Sequence, residues 1–207
     1  MHILLTDILT CPRCGPAFGL ILLADRTEQR RVLDGTLGCP NCRARYPVRD
    51  GAAHCGGEPT RPEGDPSAEA AIRLAALIGL AQGSRYALLI GPAAAHASAL
   101  AALLDGLEVI AVGEPGKAGR AAAGAAGAAG VNPLGIGDRL PLTNARVGGV
   151  ALTGTRTSPL LEEGARVLAP LGRLLLDPVP PDVEDRLRAL GLRIVARDGA
   201  AVVAARG

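Results

Sequence analysis

The sequence predicts an α/β chain in two unequal parts, a small cysteine-rich module followed by a doubly wound, mostly parallel sheet that closes on an antiparallel hairpin. Three observations predict it. From Tyr86 onward, short apolar runs alternate with segments of helical periodicity, the pattern of strands joined by helical crossovers. The cysteines all fall between Cys11 and Cys55. Between the two parts lies Glu58 to Ser67, a polar, proline-rich stretch that reads as a linker.

Composition narrows the function classes. The 207 residues carry 22 basic and 20 acidic side chains, a balance that gives no electrostatic reason to expect nucleic acid or a membrane surface. Gly (28) and Pro (16) together make about a fifth of the chain, below the level of disordered low-complexity sequences, so the chain is globular. Phe18, Tyr46 and Tyr86 are its aromatics, too few for a base-stacking platform, and the core must be aliphatic. Met1 to Thr10 lacks a basic leader, and the apolar run Ala17 to Ala24 is far short of a membrane span. The expectation is a cytoplasmic protein with no membrane partner.

In chain order, the first elements belong to the cysteine module. Cys11-Pro12-Arg13-Cys14 and Cys39-Pro40-Asn41-Cys42 are two Cys-x2-Cys knuckles, the spacing by which two tight turns aim four thiolates at one tetrahedral zinc. Four thiolates leave no open coordination position, so zinc at Cys11, Cys14, Cys39 and Cys42 is structural. Reduced cysteines packed as small hydrophobes, a rubredoxin-like iron site and redox pairs are the alternatives; a thioredoxin-type motif occurs singly in a βαβ context. His54 and Cys55 read as packing or surface residues. Gly19 to Ala24 and Arg30 to Leu37 have strand-like content, with charged Asp25 to Gln29 as the hairpin loop. So small a module buries little, and metal binding must supply most of its folding free energy.

Leu4 to Cys14, then Leu37 to Cys42, then Arg45-Tyr46-Pro47-Val48-Arg49-Asp50-Gly51 together resemble the short zinc-ribbon activator proteins that partner tRNA, ribosomal RNA and release-factor methyltransferases. The resemblance covers about residues 1–57. It departs from the family at Ala52-Ala53-His54, where a hydrophobic "Ile-Pro" strand is usual. It implies a methyltransferase as partner, while a ribbon edge strand and aliphatic helix faces make a second copy of the chain the alternative.

The sequence then predicts a linker over 58–67 whose last residue, Ser67, N-caps a helix from Ala68 to Ala81. Strands follow at Tyr86–Ile90, Glu108–Val112, Val131–Ile136, Val147–Leu152 and Arg173–Leu176. Helices are expected at Ala95–Leu104, about Lys117–Ala129, Leu160–Leu168 and Pro181–Leu190. The strands Arg193–Ala196 and Ala201–Ala205, split by Asp198-Gly199, form the hairpin. Residues 68–207 thus make a Rossmann-like domain.

This order, with several local phrases, resembles the class I S-adenosylmethionine-dependent methyltransferases. Leu88-Leu89-Ile90-Gly91 stands at the glycine-rich first motif, Val109 to Glu114 at the second strand and its acid, and Gly137 to Leu142 at an "acidic residue, then Leu-Pro-Phe" stretch. Leu161 to Leu174 resembles the family's "Glu-x-x-Arg-Val-Leu-x-Pro-Gly-Gly" helix-to-strand turn. The resemblance implies S-adenosylmethionine as a possible cofactor, with Gly91 in its loop, Glu114 on the ribose hydroxyls and Asp138 on the adenine amine. Each acid is equally readable as a solvated loop carboxylate.

The departures bear on activity. Glycines let backbone N–H groups approach a cofactor without Cβ clashes, yet only Gly91 remains of that loop: Leu89 replaces its acid, and Ala93 and Ala95 replace its later glycines. Thr153-Gly154-Thr155-Arg156 offers no general base or aromatic clamp where an acceptor motif is expected, and no catalytic residue is assigned. Gly116-Lys117-Ala118 lacks the glycine and hydroxyl of a phosphate loop. His96 beside Ser98 lacks the third member of a triad. Arg43, Arg45 and Arg49 read as a solvated face more readily than as an RNA contact. The expected function is a zinc ribbon fused to a degenerate, regulatory or scaffolding pseudo-methyltransferase. The alternatives are an active methyltransferase with its activator in cis and a non-enzymatic RNA- or protein-binding zinc module.

Overall fold

The cysteine module is a run of antiparallel strands: β1 (Thr10–Cys11), β2 (Gly15–Gly19), β3 (Ile21–Glu28), β4 (Arg31–Gly38), β5 (Arg45–Arg49) and β6 (Ala52–Cys55). The structure is a computed structural model describing residues 1–60, 67–114 and 129–206. The β3–β4 hairpin is longer than the sequence suggests. Asp25 to Glu28 continue the strand, and the turn is Gln29-Arg30, both at positive φ (45° and 65°). That is the handedness a two-residue hairpin turn demands, and the charges tolerate strand geometry because β3 is exposed along most of its length.

After Ser67, whose hydroxyl accepts the Ala70 N–H as expected of an N-cap, come α1 (Ala68–Leu77), β7 (Tyr86–Ile90), α2 (Ala97–Leu103), β8 (Glu108–Val112), β9 (Val131–Ile136) and β10 (Val147–Thr153). The chain ends with α3 (Leu161–Val167), β11 (Leu168–Asp177), α4 (Val183–Ala189), β12 (Leu192–Asp198) and β13 (Ala201–Arg206). The helix expected from Ala95 starts two residues later, because Gly91–His96 winds as a 3-10 helix. Pro92 brings no N–H, and the Ala93 N–H is taken by the Thr153 hydroxyl at 2.9 Å, which holds the tighter turn. The last hairpin turns on Gly199-Ala200, one residue beyond the expected dipeptide. The helix expected near Lys117–Ala129 lies outside the described residues save for Ala129, which stands in a turn.

Among the described residues β1 and β2 form a small antiparallel pair of their own, and the other eleven strands join in one sheet, ordered β12-β13-β11-β10-β7-β8-β9-β6-β5-β4-β3. Strands β11, β10, β7, β8 and β9 are parallel, and β13 returns antiparallel against β11. Side-chain alternation splits their residues between two cores. Leu89, Val109, Ala111 and Ala151 pack with α1 and α2, whereas Leu88, Ile110, Leu134 and Leu152 pack with α3, α4 and the ribbon's Met1, Leu5, Leu9, Tyr46 and Val48.

The ribbon is therefore continuous with the parallel sheet. Strand β6 lies parallel to β9, with Ala53 opposite Leu134, His54 opposite Gly135 and Cys55 opposite Ile136. Two further bonds fasten the same region: Thr10 N–H to Pro141 C=O and Thr143 N–H to Ile8 C=O, both 2.9 Å. The chain leaving β6 then crosses the carboxyl ends of β8 and β9. Only glycine fits beneath it, since a Cβ on Gly135 would lie 2.2 Å from the Gly57 carbonyl and one on Gly113 would lie 2.3 Å from the Thr60 hydroxyl.

Candidate functional site

The two knuckles bring Cys11, Cys14, Cys39 and Cys42 together, with all four sulfurs within 4.8 Å of one another. Cys11 and Cys42 are 3.7 Å apart, and Cys14 and Cys39 3.8 Å. A tetrahedron of sulfurs each about 2.3 Å from a central ion has an edge of about 3.8 Å. The set fits a metal ion with thiolate ligands only. Backbone bonds shape the second knuckle, where Cys39 donates to the Ala44 carbonyl at 2.9 Å and Arg43 turns back at positive φ (59°) to donate to Cys39 at 3.0 Å.

Burial pushes the Cys11 thiol up, but hydrogen bonds from the Tyr46 hydroxyl and from the N–H groups of Cys14 and Arg13 outweigh it and bring the group down to about 6. Cys55, fully buried and outside the cluster, is pushed up to about 12 by burial and by the neighbouring Cys11 charge. The four cysteines that cluster are those whose spacing suggests a metal site. Tyr46 was not legible as its neighbour.

The second candidate region lies where the strand order reverses, between β7 and β10, at the carboxyl ends of the strands where open α/β sheets bind ligands. Gly91 sits at the tip of β7 with φ +76°, and a Cβ there would meet the Thr153 carbonyl at 2.1 Å and Glu114 at 2.9 Å. Glu114 reaches from the end of β8 over this glycine. Its carboxylate accepts the Thr155 N–H at 3.1 Å and also the Thr155 hydroxyl. Gly154 carries φ +74°, and a Cβ on it would lie 1.9 Å from the same carboxylate. Glu114 and Gly91 are thus brought together, with the crevice above them bridged by the chain's own groups. Asp138 is placed elsewhere, exposed on the bend after β9.

Beyond Gly154 opens a cleft of about 710 Å³ between α1, the ends of β7, β10 and β11, and the last hairpin. Its walls include Ala93, His96, Thr153, Leu175 and Asp177. His96 accepts the Ser67 N–H at 3.4 Å, and Arg73 is engaged by both oxygens of Asp198. A smaller cleft of about 180 Å³ lies under the crossing chain, lined by Gly57, Thr60, Gly113, Ile136 and Arg156. Arg156 holds the Gly137 carbonyl at 2.9 Å, a structural use of the segment after β10 in which the sequence offered no chemistry.

Residues 2–51 fit the family model described as Trm112p-like protein. The ribbon is Trm112p-like. The match covers the two knuckles of the Trm112p-like ribbon and ends just before β6, the strand that joins it to β9. Among solved structures, the chain is similar to the [4+2]-cyclase SpnF at 17% identity and a TM-score of 0.47, covering 68% of this chain and 64% of that one. It is similar to the pyocyanin biosynthetic protein PhzM at 17% identity and a TM-score of 0.46, covering 67% and 54%. The YcgJ protein from Bacillus subtilis gives 19% identity and a TM-score of 0.43, over 63% and 71%. The chain spans less than two thirds of the length of the first two. A search of curated proteins returns no match. Among the described residues no helix is long and apolar enough to cross a membrane.

Proposed function

We propose that this chain is a degenerate methyltransferase-like protein, regulatory or scaffolding in role, whose Trm112p-like ribbon serves its own α/β domain in cis. In this reading residues 1–57 are the ribbon, 58–67 the linker and 68–207 the methyltransferase-like domain, and the metal is zinc, which suits an all-thiolate tetrahedral site. The reading puts the protein in the cytoplasm, where thiols stay reduced. The parallel pairing of β6 with β9 supports a partner in the same chain, because that edge of the ribbon is taken up by the chain's own sheet, leaving β3 as the ribbon's outer strand.

The observation that carries the degenerate reading is the bridge from Thr155 to Glu114 over Gly91. A ribose at Glu114 would have to share the carboxylate with both Thr155 donors, and Ala93 and Ala95 stand in a 3-10 helix where a glycine loop would cradle the rest of the cofactor. The test is calorimetric titration of metal-loaded protein with S-adenosylmethionine and S-adenosylhomocysteine. The expected result is no binding up to millimolar ligand. Micromolar binding that is lost in Glu114→Ala overturns the reading and favours the active methyltransferase, for which the 710 Å³ cleft beside Asp177 supplies room for an acceptor.

A further inference from the structure

Tyr46 is 7% exposed, yet it carries a hydroxyl. A buried phenol needs a partner, and the one the structure gives it is the Cys11 sulfur, 3.4 Å away. Cys11 is itself fully buried, so its thiolate charge is costly unless donors surround it. The second knuckle supplies a similar group: the Asn41 amide donates to the Cys14 sulfur at 3.4 Å. Both donors come from the second half of the ribbon, and both receiving sulfurs belong to the first knuckle. Tyr86 offers the contrast, since its hydroxyl donates to the Leu4 carbonyl at 3.2 Å.

From these contacts we infer that Tyr46 and Asn41 are positioning residues of the metal centre, donating across the ribbon to the Cys11 and Cys14 thiolates so that the first knuckle keeps its ligands aimed and its charge spread when a metal is bound. Such donors delocalise thiolate charge, and outer-shell partners of metal ligands typically set affinity by about 10–100-fold. The inference rests on the four thiolates holding a metal.

The test uses the full chain loaded with cobalt(II) and with zinc(II). Tyr46→Phe keeps the ring and removes the donor. It is expected to shift the sulfur-to-cobalt charge-transfer band to lower energy and to weaken zinc retention against a competing chelator by about tenfold. Asn41→Ala, at an exposed side chain, is expected to do the same in smaller measure, and Tyr86→Phe to leave band and affinity unchanged. A purely structural role for Tyr46 would lower the melting temperature without moving the band. An unshifted band with affinity within twofold of wild type in both Tyr46→Phe and Asn41→Ala overturns the inference. If Tyr46→Phe does not fold, Asn41→Ala alone decides. Failure of the wild-type chain to bind either ion would instead overturn the metal-site reading beneath it.

Discussion

Thr155 donates its backbone N–H to the Glu114 carboxylate at 3.1 Å, joining the loop after β10 to the end of β8 across the tip of β7. Gly154 lies directly under that carboxylate at φ +74°. A side chain at 154 must therefore both adopt a left-handed backbone and push Glu114 aside. Gly154→Ala is expected to cost about 1–3 kcal/mol. In a Glu114→Ala background the cost should fall by about 1 kcal/mol, because the contact with the carboxylate is gone while the backbone strain remains. Thermal unfolding of the four proteins of that cycle measures the coupling, and strict additivity would mean that Glu114 does not press on Gly154 in solution.

A second contact of the same kind fastens the ribbon to the sheet. Arg31 on β4 reaches Glu108 at 3.5 Å, and Glu108 accepts from Asn132 at 2.7 Å, while Asn132, fully buried on β9, accepts the His2 N–H at 2.6 Å. The Arg31 and Glu108 side chains are 11% and 15% exposed, so removing one leaves a poorly solvated partner. Glu108→Ala should destabilise by about 3 kcal/mol, as expected when one half of a buried pair is deleted. Chemical denaturation gives the value, and a loss below half a kilocalorie would show that the pair is open in solution.

Acid should act through Glu163. Burial raises its pKa, but hydrogen bonds from Arg166 and from the Leu140 N–H outweigh that and hold the carboxyl below its ordinary value of 4.5. In the unfolded chain the group takes up its proton first as pH falls. Its contribution to stability is therefore complete above pH 4.5 and is lost as pH drops through the depressed folded value. Glu163→Gln should be less stable than wild type at neutral pH, with the gap closing below pH 4.5. A gap that stays constant with pH would remove Glu163 from the acid response.

The strands at Tyr86–Ile90 and Glu108–Val112 are found at the residues read from sequence because each is an apolar run fenced by glycine or charge, and each is buried along nearly its whole length. The cysteine set was legible for a different reason: ligand spacing is a local property of two turns. What stayed hidden is non-local. No pattern in Ala52–Cys55 announces that it will lie parallel to a strand some eighty residues on, and the departure from the ribbon family at Ala52-Ala53-His54 falls on that same joint. Glu114 was legible as an acid at a strand end, but its partner Thr155 was not, since the hydroxyl that occupies it comes from another crossover. Gly113 and Gly135 likewise carry no local signal of the chain after β6 that crosses them.

Because one core runs through both halves, metal removal should be felt well beyond the knuckles. Met1, Leu5, Leu9, Tyr46 and Val48 share a buried cluster with Leu88, Ile110, Leu134 and Leu152 of the parallel strands. Metal binding contributes about 10–16 kcal/mol in small zinc-finger peptides, so a stripped ribbon loses a large part of what holds it together even with its share of the common core. Once the ribbon unfolds, β9 becomes an edge strand, its pairing with β6 is lost, and the apolar face of the sheet beneath the ribbon meets water. Chelation is therefore expected to move a single cooperative melting transition to lower temperature, and to speed amide exchange in β9 and β8 along with β4 and β5. Calorimetry with hydrogen exchange by mass spectrometry distinguishes this from an independent pair of units, in which β7 to β9 would keep their protection and a second transition would stay where the metal-loaded protein has it.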